Sequence, residues 1–321
     1  MEPEIEHKGW RPPLADELFE ARQEFDVYLK KYSRCHGLAP FLRDRSDDRS
    51  LEQVLTEFQA HSDENPARHP QLAAIKFYLQ EMLWRTEERW RQGIASGTNY
   101  DAVLDEINNS FLSEHVCLVT FNYDTLLEAA LQARKINIGS SISSYVNFDR
   151  FSVIRLHGSV RWARIILTSI PIPSNVPTHE GVIESARNLE LGEYRIVNKP
   201  QIEEPSLGNS YLLPALAIPL ENKRVFECPE DHLSFLVSKI PQIGKLLVIG
   251  WRAADSHFVN LLKEGLKPEV KTLVVSGTKE GAESVISTLT SRHQLPLSCK
   301  AFDGGFSQFV VSRGISRLLE P

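Results

Sequence analysis

The chain has 321 residues, 42% of them hydrophobic, and sets 36 Lys and Arg against 42 Asp and Glu for a formal charge of −6. That length admits one large domain or two small ones around a substantial core. The acidic balance argues against direct nucleic-acid binding, because phosphate neutralisation needs clustered cations.

The four cysteines, Cys35, Cys117, Cys228 and Cys299, are scattered and form no CxxC pair. Their spacing suggests neither a zinc knuckle nor a redox dithiol; they read as buried thiols in a reducing cytosol. The opening residues MEPEIEHKGW contain no apolar stretch of signal-peptide length. No segment approaches the roughly 20 apolar residues that span a bilayer, so the expectation is a cytoplasmic protein without a membrane partner.

Taken in order, Trp10 to Pro13 punctuate the start, and Leu14, Leu18, Ala21, Phe25, Tyr28 and Tyr32 then trace one helical face. A charged turn at Arg43 to Arg49 follows. Leu51, Val54, Leu55 and Phe58 predict a second helix, Leu72, Ile75, Leu79, Met82 and Leu83 a third, and Tyr100, Val103, Leu104, Ile107 and Phe111 a fourth. Residues 10–112 are therefore expected to be a helical insertion or lid.

The texture then changes. Apolar runs predict strands at 116–121, 152–156, 245–249, 272–275 and 298–302, and helical patterns follow at 125–133, 255–266, 279–292 and 306–319. Strands that are continuously apolar and alternate with helices imply a parallel sheet covered on both faces. The expected fold class is α/β, a Rossmann-like doubly wound parallel sheet, with 113–163 and 220–321 as its core in a single domain. Between Arg164 and Pro219, Pro171, Pro173, Pro177, Pro200, Pro205 and Pro214 interrupt every candidate element. This segment, 164–219, is expected to be an irregular insertion: a small subdomain, a lid or a mobile loop.

In a parallel sheet the polar residues after each strand share the carboxyl edge, where ligands bind. The strand ends supply Thr120, Asn122 and Asp124, then His157, Gly158 and Ser159, then Gly250 and nearby Asp255, then Ser276, Gly277 and Thr278. Each has a plain alternative. Asp124 and Asp255 precede helical patterns and suit N-caps; Gly250 suits a tight turn; Ser276 with Gly277 is a common turn pair. His157, at a strand end before Gly-Ser, is placed either to exchange protons in a cleft or to make a structural hydrogen bond. Trp162 reads as a core or pocket wall.

TFNYD at 120–124, LHGSVRW at 156–162 and VIGWRAADSHFVNLL at 248–262 resemble, in order and spacing, the SIR2-like domains related to sirtuins. The resemblance is closest to the bacterial SIR2-like group of anti-phage defence systems, many members of which hydrolyse NAD. It extends over about residues 9–311, including the helical lead-in from Gly9-Trp10 through SLEQVL at 50–55. It implies that Asn122 positions a water or the nicotinamide ribose and that His157 is the catalytic histidine. Asp124 would shape the nicotinamide pocket, and Gly250 and Ser276 would contact the phosphates and the adenosine ribose. Thr120, Phe121, Gly158, Asp255 and Gly277 complete the implied NAD-binding set, with no metal.

Two features differ from the family pattern. The glycine-rich turn that cradles the pyrophosphate, and the strand before it, are not found ahead of the helical region. The four-cysteine zinc module of deacylating sirtuins is also missing, since 164–219 contains no cysteine. The implied activity is an NAD glycohydrolase releasing nicotinamide and ADP-ribose, restrained by homo-oligomerisation or a regulatory partner. A non-catalytic NAD- or ADP-ribose-binding module and an NAD-dependent protein deacylase are the alternatives.

Overall fold

The structure is a computed structural model that describes residues 13–45, 49–93, 97–110, 114–148, 150–220 and 225–319. Trp10 and Phe111, which enter the sequence reading, lie outside them.

The helical region consists of α1 (Gln23–Leu29), α2 (Ser33–His36), α3 (Ala39–Arg43), α4 (Leu51–Ala60), α5 (Arg68–Gly93) and α6 (Asn99–Asn109). The face expected from Leu14 to Tyr32 is not one helix, because the backbone is extended at Arg22 ahead of α1. Leu18, Phe25, Tyr28 and Tyr32 are nonetheless buried, while Leu14 is 56% exposed. α4 starts at a capping box in which Ser50 accepts from the Gln53 N–H and Gln53 reaches back to Ser50, satisfying two donors that a helix start leaves unpaired. Thr98 and Asp101 do the same for α6. The long α5 buries Ala74, Ile75, Phe77, Tyr78, Leu79 and Met82 in a core shared with the first helices and with the antiparallel sheet described below.

All five expected parallel strands are present: β1 (Val116–Thr120), β2 (Phe151–Arg155), β7 (Lys245–Ile249), β8 (Val270–Val275) and β9 (Leu297–Phe302). They form two small parallel sheets, β1-β2 and β7-β8-β9, and among the described residues no hydrogen-bonded ladder joins the two. Their helices are α7 (Leu126–Ala133), α9 (Glu230–Lys239), α10 (Ser256–Gly265), α11 (Lys279–Ser287), α12 (Gly305–Val311) and α13 (Gly314–Leu319), and a π-helical turn, Thr288–Arg292, extends α11.

The apolar residues sort into two layers. Ile154 and Leu156 share one with Val248, Val274 and the buried residues of α9, α10 and α11. Phe151 and Val153 share the other with Leu273, Val275 and those of α6, α7, α12 and α13. Alternate side chains of a strand point to opposite faces, so continuous apolar runs are buried from both sides.

The segment 164–219 corrects the expectation of irregular structure. β3 (Gly158–Ile166), β4 (Leu191–Ile196), β5 (Ser206–Leu207) and β6 (Ser210–Leu216) make a curled antiparallel sheet in the order β4-β3-β6-β5, with α8 (Thr178–Glu184) between β3 and β4. The prolines sit mostly at its joints, Pro177 capping α8. Pro214, inside β6, is tolerated where the β3–β6 register shifts between Gly158 and Ala163, since a bulge spares the ladder donor that proline lacks. No helix among the described residues is long and apolar enough to cross a membrane.

Trp162 is a core wall: it is fully buried, and its Nε1 donates to the Tyr145 hydroxyl at 3.3 Å. Trp162→Ala is expected to lower unfolding stability by about 3–5 kcal/mol, read as a fall in the denaturant midpoint at unchanged slope.

Candidate functional site

The chain leaves β1 through Thr120 to Thr125, and three side chains pin this joint. The Thr120 hydroxyl accepts the Asn122 N–H at 3.1 Å. The Asp124 carboxylate accepts the Leu126 N–H at 3.1 Å, meeting one orphan donor at the start of α7. Glu87 of α5 takes the Thr125 N–H at 2.8 Å and the Thr125 hydroxyl at 2.6 Å, and Arg91 neutralises it at 2.7 Å.

Beneath the joint lies a buried cation. Arg155, the last residue of β2, is 1% exposed and forks onto Glu128 of α7, Nε to Oε1 at 2.5 Å and Nη2 to Oε2 at 2.8 Å. Its remaining N–H groups donate to the carbonyls of Asn122 at 2.7 Å, Gly158 at 3.3 Å and Asp124. The Tyr145 hydroxyl donates to Glu128 at 3.0 Å. One guanidinium therefore fixes the backbone of both polar joints, after β1 and after β2. Sequence reasoning missed this pair. Its signal was an arginine inside the apolar run SVIRL and a glutamate on the buried face of α7 beside Leu127 and Leu131.

His157 stands at the second joint, half-buried, with Nε2 3.1 Å from Asp255 Oδ2. Asp255 also caps α10, its Oδ1 accepting the Phe258 N–H at 3.1 Å, the N-cap role that its place before a helical pattern suggested. The Phe121 ring meets His157 edge-on at 5.0 Å and stacks on Trp251 at 5.4 Å. These contacts bring the carboxyl ends of β1 and β2 against the loop that follows β7. Gly158, at φ +75°, is required as glycine: a Cβ there would lie 2.1 Å from the Ala215 carbonyl oxygen.

Asn122 is exposed, and its Nδ2 donates to the Tyr100 hydroxyl of α6 at 3.2 Å. The Tyr100 ring packs at 5.7 Å on Phe306, which follows the positive-φ Gly305. A Cβ on Gly305 would be 3.6 Å from the Gly277 Cα, so Ser276 and Gly277 after β8 adjoin the same edge. Gly250, at φ +66°, and Gly277 face open space where a Cβ would meet nothing within 4 Å. The ten residues that the family resemblance singles out thus lie at the carboxyl ends of the two parallel sheets or in the loops that follow them. Tyr100, Trp251 and Gly305 join them, and spacing alone does not reveal these three.

Burial pushes the Asp124 carboxyl up to about 6; the carboxylates of Glu87 and Glu128 add to this, and Arg155 and the Leu126 N–H oppose it. Burial likewise raises the Tyr100 hydroxyl to about 12 and the Cys228 thiol to about 12, so both are protonated at neutral pH. Among the described residues no group of three or more His, Cys, Asp or Glu is arranged to hold a metal ion. No protein-family model matches the chain, and no curated protein matches it in sequence.

Two outcomes follow from these charges. Glu128→Gln leaves the Arg155 guanidinium buried without its counter-ion and should cost about 3–5 kcal/mol in denaturant unfolding. Replacing both with apolar residues of similar volume, Glu128→Leu with Arg155→Met, should recover most of that loss while loosening the joints. Asp124 binds its proton more tightly in the folded chain than in the unfolded one. Its contribution is therefore present at low pH and is lost as pH rises from about 4 through about 6. Stability curves over that window should flatten in Asp124→Asn.

Proposed function

We propose that this chain is a SIR2-like NAD glycohydrolase, its parallel strands being the parts of a doubly wound, Rossmann-like core. The reading rests on the resemblance carried by TFNYD, LHGSVRW and VIGWRAADSHFVNLL. The observation that supports it best is one shared edge that holds an exposed amide, Asn122, and an imidazole tied to a carboxylate, His157 with Asp255.

Breaking the bond between nicotinamide and ribose expels a neutral leaving group and passes through an oxocarbenium-like state, as in glycoside cleavage. The protein's task is to orient the ribose and polarise a hydroxyl or water. Held by the Asp255 carboxylate, the His157 imidazole has the arrangement of a general base oriented by an acid. Asn122, its backbone fixed by Arg155 and its amide by Tyr100, orients the water or ribose hydroxyl. Asp124, which the fold disposes toward its neutral form, shapes the nicotinamide end. Gly250 and Gly277 leave room for phosphate and ribose to approach backbone groups, and Ser276 would offer its hydroxyl to the adenosine ribose. Toxic NAD depletion in anti-phage defence, gated by oligomerisation or a regulatory partner, is the role this activity suits.

The alternatives are a non-catalytic NAD- or ADP-ribose-binding module, which would hold its ligand at the same edge without turnover, and an NAD-dependent protein deacylase.

A mass-resolved assay of NAD breakdown separates the readings. The wild-type chain should release nicotinamide and ADP-ribose, and His157→Ala and Asn122→Ala should each slow release by about 100-fold or more. Equal rates in all three would overturn the assignment. ADP-ribose binding without turnover would favour the module, and O-acetyl-ADP-ribose from an acylated peptide would favour a deacylase.

A further inference from the structure

On the buried stripe of α5, Leu79 and Leu83 are apolar, and one turn further on the same stripe presents Glu87, a carboxylate only 4% exposed. A buried carboxylate is costly unless its charge is matched and its oxygens are used. Arg91 matches the charge, and both oxygens go to Thr125, 38 positions away in sequence.

Thr125 is gripped through every polar group it has. Glu87 accepts its N–H and its hydroxyl proton, while Arg91 Nη2 lies 2.9 Å from its hydroxyl oxygen and 2.9 Å from its carbonyl oxygen. Local preference points elsewhere, because Thr125 is the N-cap residue of α7, where a threonine hydroxyl ordinarily accepts an N–H of the first turn. It makes no such bond. Its hydroxyl is committed to α5, and Asp124 takes the Leu126 N–H instead.

The peptide unit between Asp124 and Thr125 is therefore held at both ends. Its C=O accepts from the Arg155 guanidinium and its N–H donates to the Glu87 carboxylate. A buried cation faces the negative end of the peptide dipole and a buried anion the positive end, which fixes the peptide plane and the direction in which Asp124 leaves the backbone. The helix is anchored in turn: Gln80 donates to the Val160 carbonyl of β3 and accepts the Gln201 N–H, and Lys76 pairs with Glu227 at 2.7 Å.

We propose that Glu87 is a positioning residue of the candidate site, through which α5 sets the joint that carries Asn122 and Asp124. The helical region is at this point a fixed support of the site. Its effect on a rate rests on the nicotinamide reading; the clamp on Thr125 does not.

Two variants test it. Glu87→Gln removes the charge and keeps both contacts, since its amide can accept the Thr125 N–H and donate to the Thr125 hydroxyl oxygen. Glu87→Ala removes both. In amide hydrogen exchange without nucleotide, Thr125 should exchange at least about tenfold faster in Glu87→Ala and within about threefold of wild type in Glu87→Gln. Asp124 faces the carboxylates of Glu87 and Glu128, the Arg155 guanidinium, the Leu126 N–H and the Tyr100 hydroxyl. Because the Glu87 charge opposes its ionisation, Asp124, which titrates at about 6, should titrate about half a pH unit lower in Glu87→Gln, read by carbon NMR of its carboxyl. With NAD, Glu87→Ala should lower kcat at least about tenfold while KM stays within about threefold. Thr125→Val, which keeps the N–H and the shape, should reproduce part of the kcat loss and supplies that test if Glu87→Ala does not fold. Unchanged Thr125 exchange in Glu87→Ala, an unmoved Asp124 midpoint in Glu87→Gln, or an active chain whose kcat none of these substitutions lowers would each overturn the proposal. A wild-type chain that turns over no NAD would overturn the nicotinamide reading alone, and exchange and titration would still decide the clamp.

Discussion

The polar joints after β1 and β2 depend on the buried pair of Arg155 and Glu128. A guanidinium at 1% exposure is tolerable only with its charge matched and its N–H groups used. Here the match is a bidentate carboxylate, and the spare donors go to the carbonyls of Asn122, Asp124 and Gly158. These carbonyls belong to two joints more than thirty positions apart in sequence. The pair therefore works less as a stabiliser than as a template, since an apolar pair of the same volume would fill the core without specifying the path of either loop.

From that template the edge acquires its asymmetry. On one side Asn122 is exposed and steered by Tyr100; on the other His157 is half-buried, tied to Asp255 and flanked by Phe121. Asp255 serves two structures at once, holding α10 with one oxygen and His157 with the other. The imidazole's orientation is thereby coupled to a helix terminus. Asp124, desolvated, crowded by Glu87 and Glu128 and only partly offset by Arg155, is pushed toward its neutral form.

The parallel strands were legible because alternate residues pack into two apolar layers and so leave short apolar runs, VCLV, LLVI and LVV among them. So were the strand-end residues, because turns after such runs are polar and glycine-rich. The antiparallel sheet was not. Its prolines break the period-2 signal, and nothing local announces that Pro214 sits at a register shift. Nor does spacing disclose contacts made across the fold: His157 to Asp255 spans 98 positions, and Asn122 meets Tyr100 from a helix in a different region. The split between β1 and β7 was equally hidden, since strand order is a property of pairing and not of any one strand.

The central claim is that Asn122 and His157 address one ligand from one edge. Its most direct measurement is an NMR titration with ADP-ribose, following the side-chain amide of Asn122 and the imidazole of His157 together. The account predicts that both resonances move along saturable curves with a common dissociation constant. Movement of only one, or of neither at saturating ADP-ribose, would contradict it.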